Sequence, residues 1–110
     1  MEKAQLLATT DLIARDFPIE NADGEITEEK LLELLAEQIA FLIEHKMEFL
    51  MSLLYRLDVD ERKVDFALSP LSPNPPHLAI ASLVLERQKQ RAFTKMTYLP
   101  PELGEEWADF

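Results

Sequence analysis

Residues 27–57, TEEKLLELLAEQIAFLIEHKMEFLMSLLYRL, form the longest periodic run in the chain, and they contain neither glycine nor proline. At about 100° per residue, Leu31, Leu32, Leu35, Ile39, Leu42, Ile43, Leu50, Leu53, Leu54 and Leu57 fall on one broad face, as in a helix packed on a core. Thr27 is placed to cap the first turn, and Glu28 and Glu29 follow where carboxylates meet unpaired N–H groups and the positive end of the helix dipole. A helix over residues 28–57 would be roughly 45 Å long at ~1.5 Å per residue, whereas a domain of about this size has a radius of gyration near ~13 Å. Such a helix must bend or protrude. Lys46 marks the place for a bend, because it projects into the middle of the apolar face between His45 and Met47. A kink, a stem that carries its ammonium out to water, or a partner carboxylate would each resolve that conflict, and the second is the expectation.

Leu34, Phe41 and Tyr55 lie on the opposite side at multiples of seven residues, with Glu48 in the missing place. A straight helix would therefore be apolar on two sides. The second stripe is either covered by the chain itself or is an interface for another copy or another protein.

Outward from this run, residues 1–26 read as an N-terminal segment with a weak helix interrupted by Thr9, Thr10 and Asp11, closed by Pro18 and followed by an acidic loop. Downstream, Asp58 with Glu61 three positions on matches a capping box and predicts a short helix over about 59–68, with Val64, Ala67 and Leu68 turned inward. Asp58 and Asp60 also begin like a calcium loop. Arg62 and Lys63, however, stand where a ligand and a glycine are needed, so calcium is rejected. Four prolines in SPLSPNPPH forbid a regular helix and make a stiff connection. Asn74 as cap and Pro75 as first residue would open a second long helix over about 75–95. Ala79 and Ala81 would let it approach the central helix closely; its second half, ERQKQRAFTK, reads as leaving the core. Arg87, Lys89, Arg91 and Lys95 can be explained there by the dipole alone.

The runs LLYRLDVDERKV and LVLERQKQR together resemble a family of small bacterial helical proteins that pair a LYRIDVSE-like stretch with an ERQ-like stretch in the last helix. The resemblance spans roughly residues 28–95. It implies an all-helical fold and carries no known activity, ligand or partner.

The fold expected is thus all-α: a small bundle with a core domain over 27–97 and an acidic aromatic tail over 98–110, which should fold back onto its own domain. At 47% apolar and 29% charged, the chain is composed to fold. The absence of cysteine excludes disulfides, a thiol nucleophile and thiolate metal sites. The amino terminus lacks the pattern of a secretory signal, and no apolar run is long enough to span a bilayer, which places the protein in the cytoplasm and off the membrane. The formal charge of −10 is spread as −9 over residues 1–60, +3 over 61–95 and −4 over 96–110. Such a balance argues against nucleic acid and anionic lipid as partners.

Two glycines exclude glycine-rich phosphate loops, and no strong catalytic motif is present. Glu44, His45 and Glu48 are the best metal fragment, but their order is not the Glu-x-x-His of paired di-iron helices and it occurs once, so no metal or other cofactor is expected. The remaining constellation is Lys46, Tyr55, Arg56, Glu86 and Arg87, in which Glu86 could meet Lys46 or Arg56 across antiparallel helices. Two readings follow. The first is a non-enzymatic assembly module, a homodimer or a partner for another protein, meeting it through Leu34, Phe41 and Tyr55. The alternative is a small-molecule-binding or enzymatic bundle built on the polar group.

Overall fold

Thr27 does cap the central run: its hydroxyl accepts a hydrogen bond from the Lys30 amide at 3.1 Å, and α2 begins at Glu28. The computed structural model describes residues 2–19 and 26–98. Among them are five α-helices and no strand: α1 (Lys3–Ala14), α2 (Glu28–His45), α3 (Met47–Arg56), α4 (Glu61–Ala67) and α5 (Pro76–Tyr98). The acidic loop at 20–25 and residues 99–110 of the expected tail lie outside the described residues.

The thirty-residue run is two helices. Lys46, at φ −145° and ψ 56°, is the C-cap of α2 and the N-cap of α3, and its side chain is exposed. Of the three resolutions open to a lysine on an apolar face, the kink is the one adopted. The break sacrifices little hydrogen bonding, since Lys46 N–H donates to the Leu42 carbonyl at 2.8 Å and Lys46 C=O accepts from Leu50 N–H at 3.0 Å. Leu31, Leu35, Ile39, Leu50, Leu53, Leu54 and Leu57 are all buried in one cluster, with Leu32, Leu42 and Ile43 packed at its margin.

The α3–α4 turn departs from the capping box. Asp58 sits at φ 61°, in the left-handed region. Its N–H donates to Tyr55 C=O and Val59 N–H donates to Leu54 C=O, both at 3.1 Å, which is the paired bonding of a Schellman stop. Val59 and Leu54, the hydrophobic partners of that motif, are both buried in the core. With Asp58 ending α3, it is Asp60 that caps α4, accepting from Arg62 N–H at 2.9 Å. Left-handed backbone costs a non-glycine residue ~1–2 kcal/mol. Asp58→Gly is therefore expected to be more stable than Asp58→Ala by about 1 kcal/mol in urea unfolding. Equal stabilities would show that the turn relaxes in the alanine variant.

The weak first helix is better held than expected. Thr9 and Thr10 do not interrupt it, because their hydroxyls donate to the carbonyls of Gln5 and Leu6, at 2.7 and 2.8 Å, and the backbone stays helical. Ile13 and Phe17 are buried in the same cluster as the α2, α3 and α5 residues. Gln38 of α2 then donates its side-chain amide to the Pro18 carbonyl, fastening the segment that follows α1.

α5 starts one residue later than expected, with Pro76 first and the Pro75 carbonyl accepting from Ala79 N–H at 3.0 Å. Proline suits that position, where its missing N–H would have had no partner. The helix leaves the core later than expected, since Gln88 and Ala92 are still buried and only residues 93–97 are all exposed. Ile80, Ala81, Val84, Leu85, Gln88 and Ala92 make one buried stripe on α5, which packs against α1, α2 and α4.

Candidate functional site

The break at Lys46 decides what the second apolar stripe becomes. Leu34 and Phe41 are on α2 and Tyr55 is on α3, so the three no longer share one straight helical face. Leu34 is half-buried, Phe41 is 54% exposed and Tyr55 76% exposed. Phe41 finds a different companion. Across the break, Phe49 of α3 is 50% exposed, and the two phenylalanines flank a cleft of about 510 Å³ whose other apolar walls are Phe17, Pro18 and Leu42. Phe17 is buried beneath it, and Asp16 and Glu37 stand at its margin. The Phe41 ring is steadied by His45 one turn on, with centroids 4.6 Å apart and planes tilted by 41°. An apolar centre with aromatic walls and a charged margin is the usual anatomy of a protein interface. On a straight helix Phe49, about five turns beyond Leu31, would share the edge of the main apolar face, yet after the break it is half-exposed.

The polar constellation is not brought together. Glu86 pairs with Lys89 at 3.6 Å and not with Lys46 or Arg56. Arg87 reaches back to Asp58, Nη2 to Oδ2, at 3.1 Å. Glu86 and Arg87 share a pocket of about 210 Å³ with Asp58, Asp60 and Lys63. Tyr55 and Arg56 line an adjoining open groove that shares Asp58, Val59 and Asp60 with this pocket, and Lys46 belongs to neither. Lys46 and Arg56 are both exposed, and Glu86 takes its partner locally, at i,i+3 on its own helix.

Lys89 is the polar residue with the most structural consequence. Its ammonium donates to Glu28 Oε1 at 2.7 Å, and its carbonyl accepts from the Gln5 side-chain amide at 3.2 Å. It thereby ties α5 to the start of α2 and to α1. The Glu28 hydrogen bond holds the ammonium above lysine's ordinary 10.5, opposed by partial burial and reinforced by Glu86. Because the folded value is raised, the stabilisation is complete below pH 10.5 and is lost only as pH rises through the higher folded value. The clamp is intact at neutral pH. Nothing local in the sequence identifies it, since Glu28 is 61 residues away.

Among the described residues no three His, Asp or Glu side chains are grouped to hold a metal ion. His45 lies 3.9 Å from Glu44 and against Phe41, an arrangement that positions the phenyl ring. No helix of the described residues is long and apolar enough to cross a membrane. No protein-family model matches the chain, and no curated protein or solved structure matches it.

Proposed function

We propose that the protein is a non-enzymatic assembly module of the cytoplasm, a compartment that a cysteine-free chain suits, and that its partner is a second copy of itself. The observation that carries this reading is the aromatic cleft at the α2–α3 break, with Phe41 and Phe49 half-exposed on either side. In a two-fold dimer the same patch serves both subunits, so each phenylalanine is at once a wall of its own cleft and a knob for the other. The charges agree: Asp16 and Glu37 border the cleft, and the exposed Lys46 at the break offers a cation for the facing margin. A protein partner also fits the charge of −10 better than nucleic acid does. The same proposal places the chain with the small helical proteins that its LLYRLDVDERKV and LVLERQKQR runs resemble. Those runs meet through the Asp58–Arg87 pair, which supports reading them as one joint.

Native mass spectrometry and light scattering at micromolar concentration test the assembly. The wild type is expected as a dimer, and Phe41→Glu with Phe49→Glu as a folded monomer, with association weakened roughly 30-fold or more, the effect of one ~2 kcal/mol hot spot. Both side chains are largely exposed, so the helical circular dichroism should not change. A wild type that is monomeric throughout, or a double variant that dimerises normally, would sink the reading.

A further inference from the structure

The chain is strongly acidic, yet four of its eleven Lys and Arg residues line one pocket that no carboxylate of the described residues lines. This pocket, of about 340 Å³, lies between the end of α1 and the second half of α5 and is walled by Leu12, Arg15, Arg87, Arg91, Thr94 and Lys95. Arg87, Arg91 and Lys95 follow one another at four-residue spacing on one face of α5, and Arg15, the C-cap of α1, faces them from the neighbouring helix.

The helix dipole accounts for Lys95, in the last turn of α5, and for Arg15, at the end of α1, but not for Arg87 and Arg91. Its effect fades within the last turn, and α5 continues to Tyr98, which leaves Arg91 about two turns and Arg87 about three turns from the end. Internal ion pairs do not account for the cluster either. Arg87 is matched by Asp58, while Arg15, Arg91 and Lys95 have no carboxylate within 4.0 Å among the described residues. Arg91 makes only a long contact of 3.5 Å to the Gln88 side-chain carbonyl. The Arg87 Nε–H is buried and finds no acceptor among the described residues. Among the described residues, three cations with no carboxylate partner, Arg15, Arg91 and Lys95, thus line one concavity together with Thr94, in a molecule that has carboxylates in excess elsewhere.

We propose that this pocket binds a small phosphorylated anion bearing about three negative charges, matched to Arg15, Arg91 and Lys95, with the guanidinium forks gripping phosphate oxygens. The volume admits a compact ligand. A nucleic-acid strand or an anionic bilayer is disfavoured, because beyond the pocket it would meet a surface of net negative charge. The pocket is separate from the aromatic cleft, so its test is independent of the assembly reading.

The probe is pyrophosphate, which like citrate carries about three charges at neutral pH, titrated calorimetrically into the full chain at fixed ionic strength, with citrate as a carboxylate trianion in a parallel arm. Saturable 1:1 binding of pyrophosphate, tighter than that of citrate, is expected. Arg91→Gln with Lys95→Gln should weaken it by about tenfold or more for each cation removed. Both side chains are exposed, and circular dichroism will confirm that the fold is kept. The pair Lys30→Gln and Arg62→Gln, cations outside the pocket, should leave the affinity as it was. Absence of binding, citrate binding as tightly as pyrophosphate, or equal losses in the two double variants would each overturn the proposal.

Discussion

Phe17→Ala should cost about 3–5 kcal/mol of folding stability, the range for emptying a buried phenylalanine site. The ring is almost wholly buried, it joins the central cluster, and it forms the base of the cleft between Phe41 and Phe49. Its backbone is also fixed, with Phe17 N–H donating to the Ile13 carbonyl at 2.9 Å and Gln38 holding the next residue, Pro18. The site therefore has little freedom to collapse around the missing ring. Against a total of ~5–15 kcal/mol for a domain, the loss would remove a large share of the stability. Urea unfolding followed by circular dichroism measures it. A single transition with a lower midpoint and unchanged slope is expected, because α1 shares the core with the other helices. A cost below ~1 kcal/mol, or a separate early transition in which only α1 melts, would show that α1 is not part of the cooperative unit.

Ala81→Leu should cost about 1–3 kcal/mol, and more than Ala79→Leu. Both alanines lie near the start of α5 and were read alike in the sequence, as small residues that permit close approach. The packing separates them. Ala81 is completely buried between Ile80 and the rest of the α5 stripe, whereas Ala79 is only half-buried at the margin of the core. Helix axes come within 8–10 Å according to the side chains at the contact, so a leucine at the closest point must push α5 off its neighbours or leave its rotamer well. At position 79 the added carbons can lie partly at the surface. Thermal unfolding of the two variants gives the comparison directly. If Ala81→Leu is neutral, the interior around α5 holds a void large enough to accept three further carbons.

The core of α2 and α3 was legible because a single period carries it: every leucine and isoleucine assigned to that face is buried or packed against the cluster. Lys46 was legible as a place of conflict, but the choice among its three resolutions depends on whether two shorter helices can pack, which periodicity does not encode. Asp58 misled for a related reason. The spacing from Asp58 to Glu61 satisfies a capping box, while the tolerance of aspartate for left-handed backbone leaves no mark in a pattern of residue types. α1 looked broken because threonines favour turns, and the hydroxyl bonds that keep Thr9 and Thr10 helical are made to the preceding turn. Gln88 made the second half of α5 look solvent-facing, and it is buried only because other helices pack against α5 there. The candidate sites show the same division. Arg87, Arg91 and Lys95 are visible as a four-residue spacing, but Arg15 joins them through the fold. Phe41 was marked as exposed apolar surface, whereas pairing it with Phe49 required the break.

The bond from the Gln5 side chain to the Lys89 carbonyl spans 84 residues, so the α1–α5 seam joins opposite ends of the chain. In kinetic terms, such a seam closes late. The ordering entropy of nearly the whole chain is lost before these contacts form, whereas α2 and α3 are neighbours in sequence and α4 is separated from α5 only by the proline-rich connection. A nucleus drawn from α2 to α5 would be assembled before α1 docks. Substitutions in α1 and at Phe17 should then leave the rate of folding almost untouched and appear as faster unfolding. The lifetime of the native state, more than the speed of reaching it, would be set by how firmly the first seventeen residues are held.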